Sequence, residues 1–250
     1  MNFIDILIAV QFGCAAVVFI FLLFLSAPYG RHFRKGWGLT FPSWMAWLIM
    51  ESPSFLVILA FFLLNIRHAS PPAVFLFLLW EAHYLYRTFI YPFLIRGEAK
   101  KKFPILLVVM AIAFNSLNAT VNGSWLFVQW PYALSWIHDP RFILGSLLFI
   151  CGFVIHSWAD RRLRLLRQPG ETGYKVPRGG LFELISCPNY FGEILQWFGF
   201  ALAAWSWAGL SFAVFTLANI GPRAISNHRW YLRTFARYPK KRKAIIPFVY

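Results

Sequence analysis

Long apolar segments alternate with short polar loops along almost the whole chain. Seven of these segments have the length of a membrane-spanning helix, which needs about 20 residues to cross the hydrocarbon layer. We expect spans at Ile4–Leu25, Ser43–Asn65, Ala73–Ile95, Phe103–Val121, Phe142–Trp158, Tyr190–Trp207 and Gly209–Ile225. The pattern therefore predicts an all-α integral membrane protein with seven transmembrane helices, forming a single membrane domain over residues 1–250.

Composition agrees with a membrane protein. The chain is 59% hydrophobic and 13% charged, whereas soluble domains carry about 25% charged residues. Its three cysteines, Cys14, Cys151 and Cys187, lack the spacing of metal ligands, so we predict no metal site. No obligate protein partner is evident from the sequence.

Positive charge predicts the orientation of the spans. Basic residues are concentrated after the first, third, fifth and seventh spans, for example in the run Lys100–Lys102, while the other loops carry few charges. Because arginine and lysine are enriched on the cytoplasmic side, we expect the N-terminus outside and the C-terminus in the cytoplasm. These residues border membrane spans, which favours attraction to anionic lipids over nucleic-acid binding.

Polar residues inside the spans are candidates for function, because a charge in hydrocarbon is costly unless it is paired or used. Glu51 lies within the second span and can act as a general acid or hydrogen-bond donor; the alternative is that it reaches toward an interface. Tyr84, Arg87 and Tyr91 have helical spacing in the third span. A tyrosine inside the membrane can donate its proton to a carbonyl or enolate oxygen.

Three further segments place polar residues on one helix face near the predicted cytoplasmic side. They are His156, Asp160, Arg164 and Arg167; Asn189 and Glu193; and Arg223, Asn227 and Tyr231. Arginines suit phosphates through paired donors, and Asp160 can orient an arginine or accept ribose hydroxyls. The alternative, ion pairs between helices, leaves the excess of arginine unexplained. We therefore expect a large anionic ligand, held between helices because no glycine-rich phosphate loop is present.

Several segments resemble the membrane-embedded steroid 5α-reductases. They are APYGRH from Ala27, ESPSF from Glu51, HYLYRTFIYPFLIRG from His83, the stretch from Asp160 to Ser206, and PRAISNHRWYLRTFARYPKKRKAIIPFVY from Pro222. The similarity runs from about Ala27 to Tyr250 and is most specific over residues 100–250, which it implies form the part that binds NADPH. Members of that family have seven spans and use NADPH to reduce the Δ4 double bond of 3-oxo-steroids to 5α-3-oxo-steroids.

The resemblance also implies roles for individual residues. Glu51 and Tyr84 match the pair that binds the 3-keto oxygen and would polarise it as hydride reaches C5. Met50 and Trp197 match substrate-pocket positions, and Met50 stands where the hormone reductases carry glutamine, which removes one polar contact. The cofactor-binding positions that it implies are Arg96, His156, Asp160, Arg164, Arg167, Tyr174, Asn189, Glu193, Arg223, Asn227 and Tyr231. Two of them depart from the family pattern: His156 stands where an asparagine is usual, and Asn227 lies in a normally histidine-rich segment.

Two other functions stay open at this point. The chain could reduce another enone or a polyprenoid lipid within the same family. It could also be a membrane methyltransferase, because CPNYFGE at Cys187–Glu193 looks like a segment of the isoprenylcysteine-type enzymes. The short chain without an additional domain favours a bacterial inner membrane over the endoplasmic reticulum.

Overall fold

The computed structural model describes residues 2–96, 102–168, 171 and 173–249. Lys100 and Lys101, which contribute to the predicted orientation, lie outside the described residues. Within them the helices are α1 Phe3–Phe24, α2 Ser43–Asn65, α3 Pro71–Leu85, α4 Tyr91–Leu94, α5 Ile105–Ser124, α6 Pro140–Leu165, α7 Pro188–Ala204 and α8 Trp207–Thr234. Two short strands, β1 Thr40–Phe41 and β2 Phe103–Pro104, pair antiparallel.

Five of the described helices are long and apolar enough to cross a membrane, namely α1, α2, α5 with the π-helical turn that extends it to Gln129, α6 and α8. The predicted span Tyr190–Trp207 corresponds to α7, which has 17 residues. The span expected at Ala73–Ile95 corresponds to α3, a π-helical turn over Tyr86–Ile90 and α4, which follow one another without a gap but are not among these five. The chain is thus a helical membrane protein, and its seven spans stay a prediction.

Helix boundaries differ from the predicted ones where hydropathy alone does not decide them. The second span agrees with α2 at both ends, whereas α6 and α8 continue well beyond Trp158 and Ile225 into polar sequence. The fourth span is predicted to begin at Phe103, but Phe103 lies in β2 and the helix begins at Ile105, because the residue before a proline is disfavoured in the helical conformation. The expected all-α fold therefore includes one short pair of strands.

Glycines bring α6 and α7 into backbone contact. Gly145 and Gly152 on α6, and Gly192 and Gly199 on α7, are each seven residues apart, so each pair shares a helix face. A Cβ atom at Gly192 would lie 2.5 Å from the backbone nitrogen of His156. Small residues permit such close approach between membrane helices, and here they hold His156 beside the start of α7.

Replacing Gly152 with alanine should destabilise the protein. The added Cβ would lie 2.5 Å from the Gly192 carbonyl oxygen and 2.8 Å from the Gln196 Cα. Because both are backbone atoms, the helices must separate, at a cost of about 1–3 kcal/mol. Thermal unfolding of the purified protein in detergent measures this. Gly13→Ala is the matched control, since no atom outside the local helix backbone lies within 4 Å of its Cβ position; equal melting temperatures for both variants would contradict the account.

Candidate active site

The guanidinium of Arg87 lies at the junction of several helices. Its Nε is 3.7 Å from a Glu51 carboxyl oxygen on α2, and its Nη1 is 3.9 Å from a carboxyl oxygen of Asp160 on α6. The rings of Trp47 and Tyr91 lie 4.4 Å and 5.1 Å from the guanidinium carbon. The π-helical turn contains Arg87, and such turns are often found at functional sites.

Glu51 is held from a second side by α5. The Asn115 side-chain amide donates to the Met50 carbonyl at 2.6 Å and lies 3.3 Å from the other Glu51 carboxyl oxygen. The carboxyl is mostly enclosed, with 13% of the side chain exposed. The Met50 side chain is buried in a cluster with Phe103 and Val108.

Tyr84 lies in an aromatic environment next to this carboxyl. Its polar neighbours include Glu51 and Ser54, and the Trp80 indole donates to the Ser54 carbonyl at 2.9 Å, which ties α3 to α2. The Trp197 ring centroid is 5.8 Å from that of Tyr84. Both side chains are buried at 3% exposure or less, so the phenol is surrounded largely by apolar rings.

A second polar group joins α6 to α7. The Asn189 amide donates to Asp160 at 3.1 Å. The His156 ring lies 3.2 Å from the Asn189 carbonyl oxygen and 3.6 Å from a Glu193 carboxyl oxygen. Glu193 also interacts electrostatically with Arg87. The predicted four-residue spacings therefore do bring these residues together, and Arg87 connects them to Glu51.

Arginines extend the site past the end of α6. Arg164 donates to the Tyr86 hydroxyl at 2.8 Å. Arg167 lies beyond the helix and exchanges hydrogen bonds with Arg96, each donating to the other's carbonyl, at 2.7 Å and 3.2 Å. Neither Arg96 nor Arg167 forms an ion pair with a carboxylate in the described ranges.

On α8, Arg223 and Asn227 converge on one tyrosine. Arg223 donates to the Tyr190 hydroxyl at 3.2 Å, and the Asn227 amide lies 3.5 Å from the same oxygen. The Asn227 carbonyl oxygen lies 3.1 Å from the His32 ring nitrogen. The Arg223 guanidinium carbon is 4.9 Å from the centre of the Tyr29 ring. The segment between α1 and α2 thus forms one wall of the site.

Arg31 is a site residue that the sequence interpretation missed. Its guanidinium carbon lies 5.1 Å, 4.9 Å and 4.7 Å from the rings of Tyr174, Trp230 and Tyr231. Arg167 lies 4.8 Å from the Tyr174 ring as well, so two arginines meet at one aromatic side chain. The signal in the sequence is the APYGRH segment, which contains Arg31 and follows the first span, where basic residues are explained by topology.

Two groups between α1 and α2 are neutral near pH 7. Burial raises the pKa of Tyr29 to about 12, against the opposing effect of Arg223, so its hydroxyl can donate. Burial lowers the pKa of His32 below its usual value. The charges of Arg31 and Arg223 act in the same direction, and the hydrogen bond with Asn227 opposes them. Below neutral pH, protonation of His32 would add a further cation beside Arg223.

Comparisons with known proteins identify the family of the chain. The family model described as 3-oxo-5-alpha-steroid 4-dehydrogenase matches residues 101–250. The chain is 44% identical over 238 residues to steroid 5-alpha-reductase DET2 of Arabidopsis thaliana, covering 92% of this chain and 90% of that protein. It is 43% identical over 240 residues to 3-oxo-5-alpha-steroid 4-dehydrogenase 1 of Homo sapiens, covering 95% and 91%.

The chain belongs to the steroid 5α-reductase family. It is therefore an oxidoreductase of the 3-oxo-5α-steroid 4-dehydrogenase type, which acts on a CH–CH group. This membership decides between reductase and methyltransferase, the two enzyme classes that the sequence had left open. The two named relatives come from a plant and a mammal, so the expected bacterial inner membrane stays a prediction.

Proposed function

We propose that the chain uses NADPH to reduce the Δ4 double bond of a 3-oxo-Δ4-steroid, delivering hydride to C5 and leaving a 5α-3-oxo-steroid. The observation that carries this proposal is the connection through Arg87, which lies against Glu51 on one side and Asp160 on the other. Glu51 and Tyr84 lie at the substrate end. The arginines around Tyr174 and Tyr190 lie at the cofactor end.

The side chains present fit a phosphate-bearing dinucleotide. Five arginines line the cofactor end and none of them forms an ion pair with a carboxylate in the described ranges: Arg31, Arg96, Arg164, Arg167 and Arg223. Buried nitrogens of Arg31 and Arg167 also have no hydrogen-bond partner there. Guanidinium groups of this kind suit the pyrophosphate and 2′-phosphate of NADPH. Asp160, Asn189 and Glu193 supply acceptors and an amide for its ribose and carboxamide groups.

NADPH, when bound, supplies the hydride. The protein's part is to polarise the substrate carbonyl and keep water away. The Tyr84 hydroxyl donates to the 3-keto oxygen, and a protonated Glu51 carboxyl donates a second hydrogen bond. As negative charge moves onto that oxygen, both hydrogen bonds strengthen, which stabilises the enolate. A proton taken from solvent water then forms the C4–H bond as the enolate returns to the ketone, while Glu51 and Tyr84 keep their own protons.

A single guanidinium, that of Arg87, interacts with three acidic side chains between the substrate end and the cofactor end of the site. Arg87 interacts with Glu193, Glu51 and Asp160, so ionising all three would leave an excess of negative charge. A proton kept on Glu51 reduces this repulsion. The arrangement therefore supports Glu51 as a hydrogen-bond donor despite its nearby arginine.

The rest of the proposal concerns topology. We propose seven spans, with the N-terminus outside and the C-terminus in the cytoplasm, so that the cofactor end of the site faces the cytoplasm. The whole of residues 1–250 acts as one membrane domain. The substrate enters from the lipid phase and NADPH from the aqueous side, which agrees with the arginines lying beyond the apolar part of α6.

Substituting Glu51 by Gln or Tyr84 by Phe should lower turnover far more than NADPH affinity. Each change removes or weakens a donor to the 3-keto oxygen, and losing one such donor typically costs a factor of about 100–1,000 in kcat. Steady-state reduction of a 3-oxo-Δ4-steroid, together with NADPH titration of tryptophan fluorescence, separates the two effects.

Matched controls come from the same protein. Glu81→Gln changes another buried acid on the neighbouring helix, one whose oxygens have no hydrogen-bond partner in the described ranges. Tyr132→Phe removes a hydroxyl that donates to the Ala204 carbonyl at 2.7 Å. Both controls should retain most activity. Full turnover in Glu51→Gln and Tyr84→Phe would remove these residues from the reacting end.

Arg223→Gln should instead weaken NADPH binding, by about tenfold or more, because it removes a charge that can pair with phosphate. Isothermal titration with NADPH and with NADH measures the change. Arg229→Gln, which removes an exposed arginine from the same helix, should bind NADPH normally. If Arg223→Gln also binds NADPH normally, Arg223 lies outside the cofactor site.

A further inference from the structure

A cavity of about 420 Å³ opens on the face of α6 that points away from the candidate active site. Asp160 and Arg164 face that site, whereas Arg161 and Leu165 follow each of them by one residue and are rotated by about 100° around the helix. The lining includes Trp158, Arg161, Arg162, Leu165, Pro177 and Arg178. The same helix thus presents cations in two separate directions.

The rim of this cavity is strongly positive. Three arginines line it and no acidic side chain does. Arg162 lies over the Trp158 ring at 5.8 Å. Glu183 interacts electrostatically with Arg178, but it already accepts hydrogen bonds from Arg242 at 3.0 Å and from the Gly179 nitrogen. Arg161 and Arg162 have no ion pair in the part of the chain that the structure describes, so the rim can accept an anion.

The walls of the cavity are apolar and well packed. The Trp158 ring lies 5.7 Å from that of Phe182. Gly180, with a φ of 56°, approaches so closely that a Cβ there would lie 2.7 Å from the Trp158 ring. The buried Arg242 donates to the Pro177 carbonyl at 2.9 Å. The segment opposite α6 is therefore anchored, and the cavity does not depend on a loose loop.

The cavity lies at the part of α6 that we expect at the membrane surface. The helix has 26 residues, which gives a length of about 39 Å at 1.5 Å per residue. The hydrocarbon layer is about 30 Å thick, so the last turns of α6 reach the headgroup region. A tryptophan followed by arginines is typical of that depth.

We propose that this cavity binds the headgroup of an acidic phospholipid. Arg161, Arg162 and Arg178 would hold the phosphate, and the acyl chain would lie along Trp158 and Leu165. A cationic rim over an apolar wall fits a phospholipid better than a soluble anion, because the lipid has a charged headgroup for the rim and an acyl chain for the wall. The occupied site would link α6 to the segment that contains Pro177.

Lipid binding to the purified full-length protein in detergent tests this proposal. Native mass spectrometry with added phosphatidylglycerol or phosphatidylcholine gives the affinity for each lipid. We expect tighter binding of phosphatidylglycerol, reduced about tenfold or more in Arg161→Gln/Arg178→Gln, because each arginine near an anionic surface contributes substantially to attraction. The matched control, Arg233→Gln/Arg237→Gln, removes two exposed arginines elsewhere and should bind like the unaltered protein.

Three results would overturn the proposal. Equal losses in the two double variants would show diffuse attraction to the whole basic surface. Equal affinity for both lipids would show that the headgroup charge is not recognised. Thermal stabilisation by inorganic phosphate that matches the stabilisation by phosphatidylglycerol would show an anion site without a role for the acyl chain. Melting temperatures of both double variants without lipid confirm that each is folded.

Discussion

A positive charge enclosed between membrane helices is the constraint on which the site depends. The guanidinium of Arg87 cannot lose its proton in a protein, and a buried charge is tolerated only with partners. Those partners come from different helices: Glu51 from α2, Asp160 from α6 and Glu193 from α7. Satisfying one charge therefore brings together three elements that are far apart in the sequence.

Close packing of α6 against α7 makes this convergence possible. Gly152 and Gly192 let the two helix backbones approach closely. As a result, Asn189 can donate a hydrogen bond to Asp160, and the His156 ring lies next to the Glu193 carboxyl group. Larger residues at these positions would move the acids away from Arg87. The same packing orients Arg164 toward Tyr86 on the far side of the site. Helix association and site geometry are thus two results of one arrangement of small residues.

Much of the helical fold and part of the candidate site could be predicted from the sequence, because apolar length and helical spacing depend on residues that are close together in the chain. Apolar length predicted α2 at both ends, and four-residue spacing predicted that Asp160 and Arg164 share a face. Hydropathy does not detect the π-helical turn at Tyr86–Ile90. It also underestimates the lengths of α6 and α8, because their polar ends are stabilised by contacts with other helices. Arg31 was missed because its partners, Tyr174 and Trp230, are distant in sequence and a charged loop residue is usually explained by topology.

The most direct measurement follows the hydride itself. The purified protein is incubated with a 3-oxo-Δ4-steroid and NADPH that carries deuterium on one or the other face of the nicotinamide C4. We expect a 5α-3-oxo-steroid with one deuterium at C5, from only one of the two labelled cofactors. A reduced product without deuterium at C5, or with label from both cofactors equally, would contradict a site in which Arg87 joins a fixed hydride donor to a fixed enone.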